Sequence, residues 1–168
     1  MEFTFKEYFW QADAPLPAWS DFTQSDTTPV TFAPEGRDET PPLSDEEIAL
    51  AQWLYDHHAQ QKTALLNAVL LAYPEARRQF FDDYDIDENE DDLPTIRSVD
   101  GLPLVITLQD INVHQIEKAG MPYVGYQFAC KWEEEHGLGV LMHGDRVVEI
   151  GGAETAFTLW IAERDLKR

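Results

Sequence analysis

From Tyr123 to Trp132 apolar residues fall at every second position. Val124, Tyr126, Phe128, Cys130 and Trp132 share one face, and Gln127, Ala129 and Lys131 fall on the other. A period of two belongs to a half-buried strand and excludes an amphipathic helix in this segment. Turn residues Glu133 to Gly137 follow, then a second apolar run, Leu138 to Met142. Gly144-Asp145 supplies a two-residue hairpin loop before Arg146 to Ile150. Three short strands joined by tight turns read as an antiparallel meander. Gly151-Gly152 interrupts it, and Phe157 to Leu166 reads as a closing helix.

The upstream segments supply what the meander packs against. Phe3 and Phe5 alternate with Glu2, Thr4 and Lys6, so residues 1–11 read as one strand ending in the cluster Tyr8, Phe9, Trp10. Residues 12–43 are rich in Pro, Asp and Thr. They read as an extended segment laid over the core, anchored by Trp19 and Phe22, with a short strand at Pro29 to Phe32. Ser44 then opens the clearest helix. Pro41 and Pro42 precede it, and Ser44 with Glu47 forms a capping box. Its apolar positions, from Ile48 through Leu54 to Leu70, predict one helix or two nearly continuous ones ending near Tyr73. Pro74 suits the first position of a further helix carrying Phe80, Phe81 and Tyr84. Leu104 to Leu108 and Ile111 to Val113 are candidate strands.

The expected fold class is α+β: an antiparallel sheet with a C-terminal three-strand meander packed against two or three helices. The 168 residues suit a single domain. Its parts are an N-terminal strand and extended segment (1–43), a helical part with an acidic loop (44–92), and the meander with its helix (93–168).

Charge bounds the partners. Thirty-two acidic residues face 12 basic ones, for a formal net charge of −20. Such a chain repels nucleic-acid phosphates and anionic membranes, and attracts basic partners. Solubility alone is the plainer reading of the same acidity. The longest apolar helical run, Ala64 to Ala72, is far short of the roughly 20 residues of a membrane span. The N-terminus lacks a basic region followed by an apolar one, and Cys130 has no second cysteine to pair with, so a cytoplasmic location is expected.

Two segments carry possible chemistry. In the run from Asp82 to Asp92, the acidic residues are Asp82, Asp83, Asp85, Asp87, Glu88, Glu90, Asp91 and Asp92. The alternation Asp83, Asp85, Asp87 begins like a calcium loop. Glu88 stands where that loop needs glycine, however, and Pro94 where it needs a bidentate glutamate. A solvated loop or frayed helix end is expected, and the run can act as a phosphate-like ridge facing a basic cleft.

The second segment joins Trp132 to Glu134, Glu135, His136, Gly137 and Gly139. Its carboxylates and His136 can serve a hydrolase or a metal site if His114 or His143 comes near. The structural alternative has Gly137 and Gly139 admit positive φ or close backbone approach, Glu135 or His136 lock the turn, and Trp132 pack beneath. Cys130, mid-strand on the apolar face, reads as a buried, inert thiol. His57 and His58 are helix neighbours that do not share a face, so they do not form a two-histidine site. Neither a metal nor a cofactor is expected.

The stretch from Tyr123 to Phe157 resembles a bacterial domain-of-unknown-function family. Its members carry a tryptophan, an acidic pair, E-H-G-L-G-V, a hairpin and a G-G-A-[DE]-T-x-F ending. Here these are Trp132, Glu133 with Glu135, His136 to Val140, Gly144-Asp145 and Gly151 to Phe157. The family's usual residue after the tryptophan is aspartate, and Glu133 keeps the charge. Related domains occur beside polymorphic toxins and type VI secretion effectors. The resemblance therefore implies a non-enzymatic immunity protein that neutralises a cognate, basic, nuclease-type toxin, with the eight acidic residues as its partner-binding surface. The alternatives are a small hydrolase or metal-binding domain at the Glu134, Glu135, His136 turn, and a general acidic adaptor.

Overall fold

A computed structural model describes residues 1–32 and 42–168. The N-terminal residues expected to form one strand form two. β1 (Thr4–Lys6) turns back at Glu7, whose φ is 53°, into β2 (Phe9–Ala14). A two-turn 3-10 helix, Pro17–Phe22, buries Trp19 and Phe22 as the expected anchors. β3 (Thr28–Phe32) follows, and the segment after it, including Pro41, lies outside the described residues.

α1 (Asp45–Tyr84) is a single 40-residue helix. Ser44 Oγ accepts from the Glu47 N–H (3.2 Å), and the Ser44 N–H donates to Glu47 Oε2 (2.7 Å), as a capping box requires. The expectation of a break at Pro74 is corrected. Pro74 is exposed, so its missing N–H costs a hydrogen bond on the solvent side of the helix, while Tyr73 and Phe81 on either side are buried in the core.

Val99–Leu104 is a second 3-10 turn, with Leu104 exposed rather than in a strand. The two strands expected between Leu104 and Val113 are one, β4 (Ile106–Lys118). A bulge at Gln109, between the pairs Leu108↔Phe128 and Asp110↔Gln127, breaks the alternation and lets Leu108 and Ile111 both face the core. β5 (Met121–Cys130), β6 (Leu138–His143) and β7 (Arg146–Gly151) form the meander. A third 3-10 turn, Ala153–Ala156, leads to α2 (Leu159–Leu166).

The seven strands form one α+β sheet in chain order, β1 to β7. Every neighbouring pair is antiparallel except β3–β4, which is parallel and bridged by α1. One face carries Val124, Tyr126, Phe128, Val140 and Met142 against Leu54, Leu65, Leu66 and Val69 of α1, with Trp19 between them. A buried polar chain crosses this interface. Tyr126 Oη donates to Gln61 Oε1 (2.6 Å), and Gln61 Nε2 donates to the Gly144 carbonyl (2.7 Å).

The other face is covered at the meander by the third 3-10 turn and α2. Gly125 permits this. A Cβ there would lie 1.7 Å from the Ala156 carbonyl oxygen, and one at Gly139 would lie 2.3 Å from that of Gly152. Tyr123 and Leu141 receive Ile161 and Ala162, and Asp165 is held by Tyr123 Oη (2.9 Å) and by Arg146 (3.1 and 2.6 Å).

Asp110 points to this second face, beyond the bulge. Its Oδ2 accepts from Thr31 Oγ1 (3.1 Å), while Oδ1 is buried with no partner among the described residues. Burial pushes its pKa up to about 7, against the lowering pull of Thr31. The folded protein therefore binds a proton that the unfolded chain has lost above its ordinary carboxylate pKa of 3.8. Stability contributed by that proton is full below this value and is lost as pH rises toward about 7. Asp110→Asn should raise stability at pH 8 by on the order of 1–3 kcal/mol and flatten the decline between these pH values. Urea melts across this range check it, and a destabilised variant at pH 8 would contradict it.

Candidate functional site

The C-terminal half of α1 and the β5–β6 turn enclose a cleft of about 1320 Å³. Val69, Tyr73, Ala76, Phe80 and Tyr84 recur at helical spacing along its wall. Trp132 is half-buried against Tyr73, with ring centroids 5.4 Å apart, and Leu138 and Ile150 complete an apolar floor. Carboxylates line the rim from four places: Glu75 and Asp83 on α1, Asp91 and Asp92 after it, Glu133, Glu134 and Glu135 in the turn, and Glu154 beyond β7. The basic lining residues are Lys131 and His136. The acidic run and the glycine-containing turn, separate in sequence, thus meet across one concavity.

The acidic run is ordered by a specific set of bonds. Asp82, Asp83 and Tyr84 are the last residues of α1, and Asp85 adopts the left-handed conformation (φ 52°). The Ile86 N–H donates to the Phe81 carbonyl and the Asp85 N–H to that of Asp82, both at 3.2 Å, a Schellman closure. Arg77 then gathers the loop. Its Nε donates to the Leu93 carbonyl (2.8 Å) and Nη2 to that of Asn89 (3.2 Å), while its guanidinium pairs with Glu88 and with Glu90 (3.4 Å). Glu90 also accepts from the side chain and backbone of Thr95, both at 2.6 Å, and those bonds hold its carboxyl below the usual range.

The eight expected partner-binding residues therefore divide. Asp83, Asp91 and Asp92 line the cleft. Asp82 pairs with Arg78 (2.6 Å), Glu88 and Glu90 are engaged by Arg77, Asp85 caps the helix, and Asp87 is exposed outside the cleft. Carboxylates at a helix C-terminus oppose the helix dipole, and the last turn of α1 holds no basic residue.

The turn is locked by Glu133 together with His136; of the two residues expected as the lock, His136 takes part, and Glu133 stands where Glu135 was the alternative. Glu133 Oε1 accepts from the His136 N–H and lies against His136 Nδ1, both at 3.3 Å. Those bonds hold the Glu133 carboxyl below its ordinary range. Sequence spacing held this signal, since Glu133 stands three residues before the amide it accepts from, a local side-chain-to-backbone spacing. Gly137 has φ 63°, and a Cβ there would lie 2.7 Å from the Phe128 carbonyl oxygen. Gly139 sits beneath the third 3-10 turn, and the side chains of Glu134, Glu135 and His136 are exposed.

His114 and His143, the histidines that acid–base or metal chemistry here would need, lie on the opposite face of the sheet. His114 Nε2 meets the Ala156 carbonyl and His143 Nε2 that of Lys118, each at 2.9 Å. Cys130 is buried, and burial pushes its thiol up to about 11. His57 stacks on Trp53 while His58 approaches Tyr55, so the two rings diverge.

Arg77→Gln should leave the core intact but loosen residues 86–95. Amide hydrogen exchange there should quicken at least about tenfold, with α1 protection before Pro74 unchanged. Unaltered exchange in the loop would show that Arg77 does not order it.

Residues 1–157 fit the family model described as Domain of unknown function (DUF6985). No curated protein and no solved structure matches the chain.

Proposed function

The chain belongs to the DUF6985 family, and on that premise we propose that it is a protein-binding domain that captures a basic partner at its acidic cleft. The observation that carries this reading is the cleft itself, where the carboxylates of two distant segments surround an apolar, aromatic floor. Carboxylates without internal cations lose hydration on binding, and a partner's Lys or Arg groups compensate that loss. The net charge of −20 adds a long-range field that speeds encounter with a basic surface.

Within this reading, the resemblance of Tyr123 to Phe157 favours an immunity protein acting in the cytoplasm. It would occlude the active or substrate-binding surface of a cognate toxin. Nucleases are basic because they grip phosphates, so a nuclease-type effector suits an acidic inhibitor. The hydrolase or metal-binding alternative keeps one observation in its favour, that Glu134, Glu135 and His136 do line a concave surface. Its candidate histidine partners lie across the sheet.

The test is an affinity pull-down from the source organism with low-salt and then high-salt washes, followed by co-expression. A basic protein recovered in near-equal amount, toxic alone and harmless beside this chain, is the expected result. Replacing Asp82, Asp83, Asp85, Asp87, Glu88, Glu90, Asp91 and Asp92 with Asn or Gln should slow association about tenfold or more and reduce its salt dependence. An acidic partner, or an unchanged association rate, would sink the proposal.

A further inference from the structure

Among the described residues, three cations lie over aromatic rings. Lys62 lies over Trp19 and Phe22, Arg77 over Phe81 and Arg164 over Trp160, at 4.8–5.7 Å. The rings that face the cleft are different. Trp132, Phe80 and Tyr84 carry no Lys or Arg of the chain over them, among the described residues. Trp132 and Phe80 are half-buried, and Tyr84 is 68% exposed. Beside these rings, Asp83, Asp91, Glu134, Glu135 and Glu154 have no cationic partner among the described residues.

An apolar groove of this depth would by itself accept many occupants. Its rim selects among them. An anionic or neutral ligand would leave the rim carboxylates uncompensated, and a flat basic surface would not reach Trp132. A compact ammonium meets carboxylates well but covers little aromatic face. A guanidinium does both, because it stacks on a ring and donates in its plane to carboxylates. The volume, about 1320 Å³, exceeds that of typical small-molecule pockets, roughly 300–1,000 Å³, and is open enough for a stretch of chain.

We infer that the cleft takes an extended, arginine-bearing segment of the partner protein, with a guanidinium stacked at Trp132 between the β5–β6 turn and the end of α1. This rests on the reading that the chain captures a basic partner. It names the part of that partner which enters. Glu134, Glu135 and Glu154 supply acceptors from one side, and Asp83 and Asp91 from the other. Glu133 acts as a positioning residue, because it fixes the turn through His136.

The test uses the full chain and a blocked heptapeptide of alternating glycine and arginine. Its lysine counterpart and spermidine serve as comparison probes. The Trp132 indole N–H is followed by NMR at physiological salt, assigned with Trp132→Phe, which retains a ring against Tyr73. The arginine peptide should move that signal and bind several-fold tighter than the lysine peptide or spermidine.

The triple variant Glu134→Gln, Glu135→Gln, Glu154→Gln alters exposed side chains and should weaken the arginine peptide by about tenfold. A control with the same charge change, Glu117→Gln, Asp145→Asn, Glu163→Gln, lies away from the cleft and should weaken it less than about twofold. Equal loss in both triples, equal affinity for the lysine peptide or spermidine, or a stationary Trp132 signal would overturn the inference. If the intact partner is still captured by the triple cleft variant and by Trp132→Phe, capture of a basic partner stands and the arginine cleft falls.

Discussion

Burial of both faces of β6 and of the first half of β5, from Pro122 to Tyr126, is the constraint on which the rest of this structure depends. A central strand that is apolar on both sides must be covered on both sides. On one side the cover is α1, whose 40 residues span about 60 Å. The 10 residues of β5 span only about 33 Å. The helix is longer than the strand it covers, and its C-terminal turns, anchored in the core by Tyr73 and Phe81, form one wall of the cleft. On the other side the cover is α2, packed on Tyr123 and Leu141, and a short 3-10 turn laid directly on the backbone of Gly125 and Gly139. The cleft lies between this wall and the turn leaving β5, which meet through Trp132 and Tyr73.

The wall's outer end sacrifices local stability. Asp82 and Asp83 stand at the unfavourable end of the α1 dipole, and Asp85 occupies a left-handed position that glycine would fill without strain. Arg77 and Arg78 recover part of this by pairing with Glu88, Glu90, Glu75 and Asp82. Asp83 and Asp91 receive no such relief. Local choices that conflict with helix stability concentrate where surfaces are used, and here the conflict borders the cleft.

Much of the fold was legible because it obeys one period or one cap at a time. The alternation from Tyr123 to Cys130, the Gly144-Asp145 hairpin and the Ser44 box each act over a few residues. What was not legible depends on distant partners. Pro74 passes through α1 because packing on both sides outweighs one lost hydrogen bond. The bulge at Gln109 hides a single strand behind two apolar runs. The parallel match of Val30 with Ile111 has no local signature. At the site, the residue types were readable but their division was not. Only the fold shows that Asp91 faces the cleft while Glu88 is engaged by Arg77, and that Glu133 rather than Glu135 holds the turn.

The parallel pairing of β3 with β4 also governs the order in which a nascent chain can close. The first three strands leave the ribosome early, yet Val30 and Phe32, paired on one side with Ala12 and Trp10 of β2, find their β4 neighbours only after all of α1 has been made. Until Ile111 and Val113 arrive, β3 presents an open edge and an uncovered apolar face. The long helix that builds the wall is thus also a delay line. A ribosome pausing within it would hold the chain with that edge exposed, and β4, translated after it, is what ends the exposure.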